Sequence, residues 1–395
     1  MKKSNRLFLL SVLLALPLTA CVRQADSSNS ESEKPSSESQ QASESSSVQP
    51  SSSVQSESQT ASSESQSSTP QPAPVVSNVV PVFLLSGQSN MEGSTYWKHP
   101  NGTPLLENYM DQEGLDTDGV LNGIDNVLTS FYGFYHPNGW TQAHSSSLDQ
   151  SSPEGKMTPN FQPTKVGMGV GDTVQGQKDI FFGPELGLAD TLKDVADEDN
   201  PIHLIKCAFS GSGFNNGNPS QGNPNWGNTE DDPTKSLYYL FKTYVHNCLD
   251  AIEDEGYTPE IKGFLWHQGE SGGGIPDYET SMRKLLHDVR EEFADYAPDR
   301  DGENIAFIDC TIYDGKGTSS LNYGTDTNNA KMRIANESED DLNFIINANH
   351  EDGGLALEVG DDSKGGYNTY HYNTKDAYIL GKAYADIIIE NDLLD

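Results

Sequence analysis

The chain has 395 residues, with 59 Asp or Glu against 24 Lys or Arg, a formal charge of −35. Nucleic acid and anionic membrane faces recruit basic surfaces, so neither is expected as a partner for the body of the chain. The length suits one large core, or a core carrying long loops.

Residues 1–20 carry the pattern of a signal peptide. Lys2, Lys3 and Arg6 are followed by an apolar run from Leu7 to Leu18, shorter than the ~20 residues a bilayer-spanning helix needs. Leu18-Thr19-Ala20-Cys21 resembles the lipobox of bacterial lipoproteins. That resemblance implies cleavage before Cys21, a lipid on its thiol, and attachment to the extracellular face of the cell membrane. From 21 to 75 the composition turns to Ser, Glu and Gln and ends in Thr69-Pro70-Gln71-Pro72-Ala73-Pro74. With almost nothing apolar to bury, such a stretch cannot offset its ordering entropy and reads as a disordered tether. As a flexible coil it would hold the next domain roughly 40 Å from its anchor.

Residues 76–395 read as one domain. Short apolar runs predict strands at Val79–Leu85, Ile202–Ala208, Ile261–Trp266, Ile305–Ile312 and Leu342–Ile346. Helical spacing predicts Pro184–Val195, Thr234–Glu253, Tyr278–Phe293 and Thr374–Ile389, the first opening on Pro then Glu. Alternating strands and helices imply an α/β fold with a parallel sheet covered on both faces. Its active site is then expected beyond the carboxyl ends of the strands.

Two stretches, 95–180 and 213–233, break the alternation and read as long insertions. Their aromatics Tyr96, Trp97, Tyr132, Tyr135, Trp140 and Trp226 either wall a sugar site or pack the insertions to the core. Asp116-Thr117-Asp118-Gly119 resembles the start of a calcium loop, but Val127 stands where an EF-hand needs Glu. Cys207, Cys248 and Cys310 are odd in number and lack metal-ligand spacing. They read as buried thiols, with one disulfide left open. No metal and no cofactor is expected.

The predicted strand ends carry complementary chemistry. After Leu85 comes Ser86-Gly87-Gln88-Ser89-Asn90-Met91. Gly87 permits a tight turn and places Ser89 at a helix start, where a hydroxyl is exposed and negative charge is favoured. Alone, such a serine would read as a helix cap. After Ala208 comes Phe209-Ser210-Gly211-Ser212, small enough for backbone N–H groups to meet an oxyanion. After Trp266 comes His267-Gln268-Gly269-Glu270, in which Gln268 can donate to an oxyanion and Glu270 can orient an imidazole. His267 should point away from Gln268, because side chains alternate along extended chain, and reads as structural. Before the last helix, Tyr370-His371-Tyr372-Asn373 offers His371 as general base. His350 is its rival, while His203 and His246 fall in a strand and a helix pattern.

In order along the chain, Gly87-Gln88-Ser89-Asn90-Met91, Gly183-Pro184-Glu185, Ile205-Lys206-Cys207-Ala208 with Gly211, and His267-Gln268-Gly269-Glu270 resemble the sialate O-acetylesterase-like branch of the SGNH hydrolases. This branch includes the acetylxylan esterases of carbohydrate esterase family six. The resemblance implies a flavodoxin-like three-layer α/β/α sandwich and removal of acetyl groups from oligo- or polysaccharides. It implies Ser89 as nucleophile and His371 as base. Ser89 N–H, Gly211 N–H and the Gln268 side chain would form the oxyanion hole. Many relatives carry Asp three residues before the histidine; here that residue is Asn368, so the acid falls to Glu270. A non-catalytic glycan-binding lipoprotein and an acetyltransferase with the same triad are the alternative readings.

Overall fold

The computed structural model describes residues 78–135, 142–170, 178–214, 224–271, 277–313, 324–336, 342–349, 354–366 and 370–395. The signal segment, Cys21 and the Ser-rich tether lie outside them, as do Trp140, His350 and Asn368. The chain divides into two units, Met1–Gln71 and Pro72–Asp395, and the described residues all belong to the second.

Ten strands occur among the described residues: β1 (Val79–Gly87), β2 (Thr95–Tyr96), β3 (Ile124–Tyr135), β4 (His144–Ser145), β5 (Gln162–Thr164), β6 (Phe181–Phe182), β7 (Ile202–Ser210), β8 (Thr258–His267), β9 (Ala306–Cys310) and β10 (Asn343–Ile346). The helices are α1 (Ser89–Glu92), α2 (Leu105–Glu113), α3 (Asp118–Asn122), α4 (Pro153–Lys156), α5 (Glu185–Leu192), α6 (Leu237–Asp254), α7 (Tyr278–Glu292), α8 (Gly324–Ala335) and α9 (Thr374–Glu390).

The main sheet runs β10-β9-β8-β1-β7-β3-β4, with β5 pairing to β3. Pairing is parallel from β10 to β3 and antiparallel where β4 and β5 join. Taken in chain order, β1, β7, β8, β9 and β10 have the flavodoxin-like arrangement 2-1-3-4-5. The order reverses between β1 and β8, and in such sheets the crevice outside the carboxyl ends at that point is where ligands bind.

Alternation along β1 explains the three layers. Val80, Val82 and Leu84 join one core with Leu240, Phe241 and Val245 of α6 and with Met282 and Val289 of α7. Phe83 and Leu85 join the other, with Leu186 and Leu188 of α5 and Leu380 and Tyr384 of α9. Successive strand side chains face opposite sides, so a strand apolar at nearly every position must be covered on both.

The first insertion is not a loop throughout. Its residues 124–135 form a twelve-residue strand that extends the main sheet, parallel to β7. Periodicity misses it because Asp125, Asn126, Thr129 and Ser130 interrupt the apolar pattern. The fold accepts the buried hydroxyls by satisfying them: Thr129 Oγ1 meets Thr164 Oγ1 at 2.7 Å, and Ser130 Oγ meets the Tyr244 hydroxyl at 2.8 Å. Of the insertion aromatics, Tyr132 and Trp226 are buried in one core, and Tyr96 is buried with its ring stacked on Phe181. Trp97 is half-buried, its indole N–H donating to the Asp179 carbonyl. Asp116 Oδ1 accepts from the Asp118 N–H at the start of α3. No carboxylate, histidine or cysteine cluster suited to a metal occurs among the described residues. Cys207, Cys248 and Cys310 are buried free thiols.

Candidate active site

The site begins with the register of β1 on β8, which sets Gly87 beside His267. Gly87 has φ +141°, and a Cβ there would collide with the His267 carbonyl oxygen. Only glycine meets both demands. The Gln88 N–H donates to that same carbonyl at 2.9 Å, so the last residues of β1 are pinned to the last residue of β8. The chain then turns into α1, whose first residue is Ser89, 5% exposed.

Gln88 organises the facing turn. Its side-chain Oε1 accepts from the Gly269 N–H (3.2 Å), the Ser271 N–H (3.1 Å) and the Gln268 amide (3.2 Å). The Gln268 amide also donates to the Ser212 carbonyl at 3.1 Å. Gly211, with φ +73°, precedes that residue at the end of β7. Three strand ends thus converge on one carboxamide pair. Both Gln268 donors point at protein acceptors through long bonds, so donation to an oxyanion requires one of them to be exchanged.

Asn90 ties the fourth segment in. Its Nδ2 donates to Glu270 Oε1 at 2.8 Å and to the Tyr370 carbonyl at 3.3 Å, while its Oδ1 accepts from the Tyr372 N–H at 3.1 Å. Tyr370 and Tyr372 flank His371, which is 8% exposed. The loop is fastened further by Thr95 Oγ1 donating to the Tyr372 carbonyl (2.8 Å) and by the Gly360 N–H donating to the His371 carbonyl (3.0 Å). Asn373 then caps α9, accepting from the Asp376 N–H.

The expected residues Ser89, Gly211, Gln268, Glu270 and His371 therefore lie on segments that meet at the sheet's switch point. Glu270 reaches the histidine loop through Asn90, and its carboxylate also lies 3.5 Å from His267 Nε2. Burial raises the Glu270 carboxyl above its usual range, opposed by the Asn90 hydrogen bond and by Lys331. His267 is fully buried, its ring against Tyr372. Burial, with Lys331 adding to it, pushes the imidazole down to about 3 and keeps it neutral. That agrees with a structural histidine rather than a working base.

Two buried ion pairs stand beside the site that sequence reasoning did not pair. Lys206 Nζ meets Glu185 Oε2 at 2.9 Å and donates to the carbonyls of Glu92 (3.1 Å) and Met168 (2.7 Å). Glu185 Oε1 accepts from the Gly183 N–H at 2.9 Å. Through Lys206 the pair is bonded to Glu92, the last residue of α1. Lys331 Nζ meets Asp309 Oδ1 at 2.5 Å, with both side chains essentially inaccessible. The signal for the first lay in the Gly-Pro-Glu and Ile-Lys-Cys motifs; nothing in the sequence signals the second.

Sequence reasoning gave no role to Tyr370, the residue before His371. Tyr370 is 47% exposed, the most open described aromatic ring beside the site.

The family described as "carbohydrate esterase, sialic acid-specific acetylesterase" matches residues 79–390. Among solved structures, a protein titled NanS superposes with TM-score 0.51 at 14% identity, over 80% of this chain and 98% of the other. A protein from Arabidopsis thaliana gives 0.47 at 18% identity, over 79% and 98%. A carbohydrate acetylesterase from Xanthomonas citri gives 0.43 at 12% identity, over 78% of this chain and 55% of the other. The comparison with curated proteins returns no match.

Proposed function

Since the chain belongs to the carbohydrate esterase family of sialic acid-specific acetylesterases, we propose that it removes O-acetyl groups from glycans by a Ser-His-Glu acyl-enzyme route. Ser89 Oγ attacks the acetyl carbonyl carbon as His371 takes its proton. The tetrahedral oxyanion is met by the N–H groups of Ser89 and Gly211 and by the Gln268 amide once it leaves one of its present acceptors. Collapse expels the sugar hydroxyl, which receives the proton from the imidazolium. Water then repeats the sequence on the acetyl-enzyme, releasing acetate and Ser89.

Glu270 supplies the negative charge that favours imidazolium, and its effect is carried through Asn90. Asn368 cannot carry a charge, which leaves Glu270 as the acidic partner. The observation that carries the reading is the convergence on one switch point of Ser89, the Gln268–Glu270 turn, the Gly211 turn and the His371 loop, joined by Gln88 and Asn90.

The Leu18-Thr19-Ala20-Cys21 segment supports a lipid anchor at Cys21 on the extracellular face of the cell membrane, with 21–75 as tether. Acetate released from a panel of acetylated glycans, with O-acetylated sialic acid included, tests the activity and names the substrate. The Ser89→Ala variant should release none while folding normally. Near-normal acetate release by Ser89→Ala would sink the assignment.

A further inference from the structure

We propose that Asn90 is a positioning residue for the base: its carboxamide holds the backbone on both sides of His371 to the Ser89 turn and couples that backbone to Glu270. The proposal rests on the assignment of Ser89 and His371 above.

A carboxamide has two N–H donors and an acceptor oxygen. Asn90 directs its donors at the Tyr370 carbonyl and Glu270 Oε1, and its oxygen at the Tyr372 N–H. The partners settle its orientation: a flipped amide would set N–H against N–H at Tyr372 and oxygen against oxygen at the other two. The two backbone bonds straddle His371, so they fix where its Cα stands and which way its side chain leaves the loop. Because Asn90 follows Ser89 directly, nucleophile and base are referenced to the same turn. Asn90 is itself buried, so water cannot readily stand in for its three bonds. Neither Asp, which lacks the donors, nor Ala, which lacks everything, reproduces the bracket. The third bond makes Asn90 the direct link between the buried carboxylate and the histidine loop.

Misplacement of a reacting group by about 1 Å can cost on the order of a hundredfold in rate. Asn90→Ala in the full chain should therefore lose about ten- to a hundredfold in kcat on a small acetyl ester, with KM little changed. Turnover is expressed per Ser89 titrated by a fluorophosphonate, so that unfolded protein does not count. Asn90→Asp should lose at least as much near neutral pH, since two carboxylates would face each other. Asn90→Asp combined with Glu270→Gln restores a donor–acceptor pair and should exceed Asn90→Asp in kcat, a coupling that independent sites would not show. Near wild-type kcat per titrated site in Asn90→Ala, a loss confined to KM or to the folded fraction, or strict additivity of the double variant would each overturn the proposal. Ser89→Ala and His371→Ala are run alongside. If either turns over like the wild type, the underlying assignment falls instead.

Discussion

Gly87 and His267 are register partners on adjacent parallel strands, packed so closely that a methyl group on Gly87 would strike the His267 carbonyl oxygen. This contact places the Ser89 turn against the Gln268–Glu270 turn. Gly87→Ala should add backbone strain at φ +141° to the collision and destabilise the fold by at least about 2 kcal/mol. Urea unfolding measures the loss. An alanine variant of wild-type stability would show that the strands have room to part.

The acid assignment separates two positions. Glu270→Gln keeps the shape and an acceptor oxygen but removes the charge, so kcat on an acetyl ester should fall about ten- to a hundredfold. Asn368→Ala should cost far less. Comparable losses, or the reverse order, would move the acid elsewhere.

Lys206, paired with Glu185, also donates to the carbonyl of Glu92, the last residue of α1. Lys206→Met would leave the Glu185 carboxylate buried with its cation gone, which commonly costs about 3–5 kcal/mol. Replacing both partners by apolar residues of similar volume should recover only part of that loss, because the Glu92 and Met168 carbonyls and the Gly183 N–H lose their side-chain partners. Equal stability of the single and double variants, read from denaturant midpoints, would argue against a pair that works as a unit.

Tyr370 is an exposed aromatic next to His371. Tyr370→Ala should raise KM for an acetylated glycan while leaving kcat/KM for a small acetyl ester nearly unchanged, since only the sugar would use the ring. Parallel losses on both substrates would assign Tyr370 to the loop's framework instead.

Two buried histidines predict how stability depends on acid. His203, packed against Phe161, is pushed by burial down to about 4, and His267 down to about 3. The unfolded chain binds a proton at each near pH 6.5, and the folded chain does not. Stability is therefore fully present above pH 6.5 and falls as the pH drops toward 4, by roughly 3 kcal/mol for His203. His203→Phe should flatten the stability difference between pH 7 and pH 5 relative to the wild type. An unchanged difference would show that His203 is protonated inside the fold.

The main-sheet strands other than those of the first insertion, four of the helices that cover the sheet, and the residues at the strand ends were legible in the sequence. Their signals are local: an apolar run, a helical stripe, and a small or polar residue where a strand stops. Those signals raised Ser89, the Gly211 turn, Gln268, Glu270 and His371 as candidates, and the family resemblance chose His371 over His350. Strand β3 was not legible, because its polar residues are tolerated only through hydroxyl partners on other elements. The same holds for the brackets that assemble the site. Gln88 joins residues about 180 positions away, and Asn90 reaches both Glu270 and, some 280 positions on, the His371 loop. A carboxamide in a sequence declares which bonds it is able to make. Which partners complete them depends on three-dimensional proximity, and that was decided only when the parallel sheet brought the ends of β1, β7 and β8 and the loop before α9 to one place.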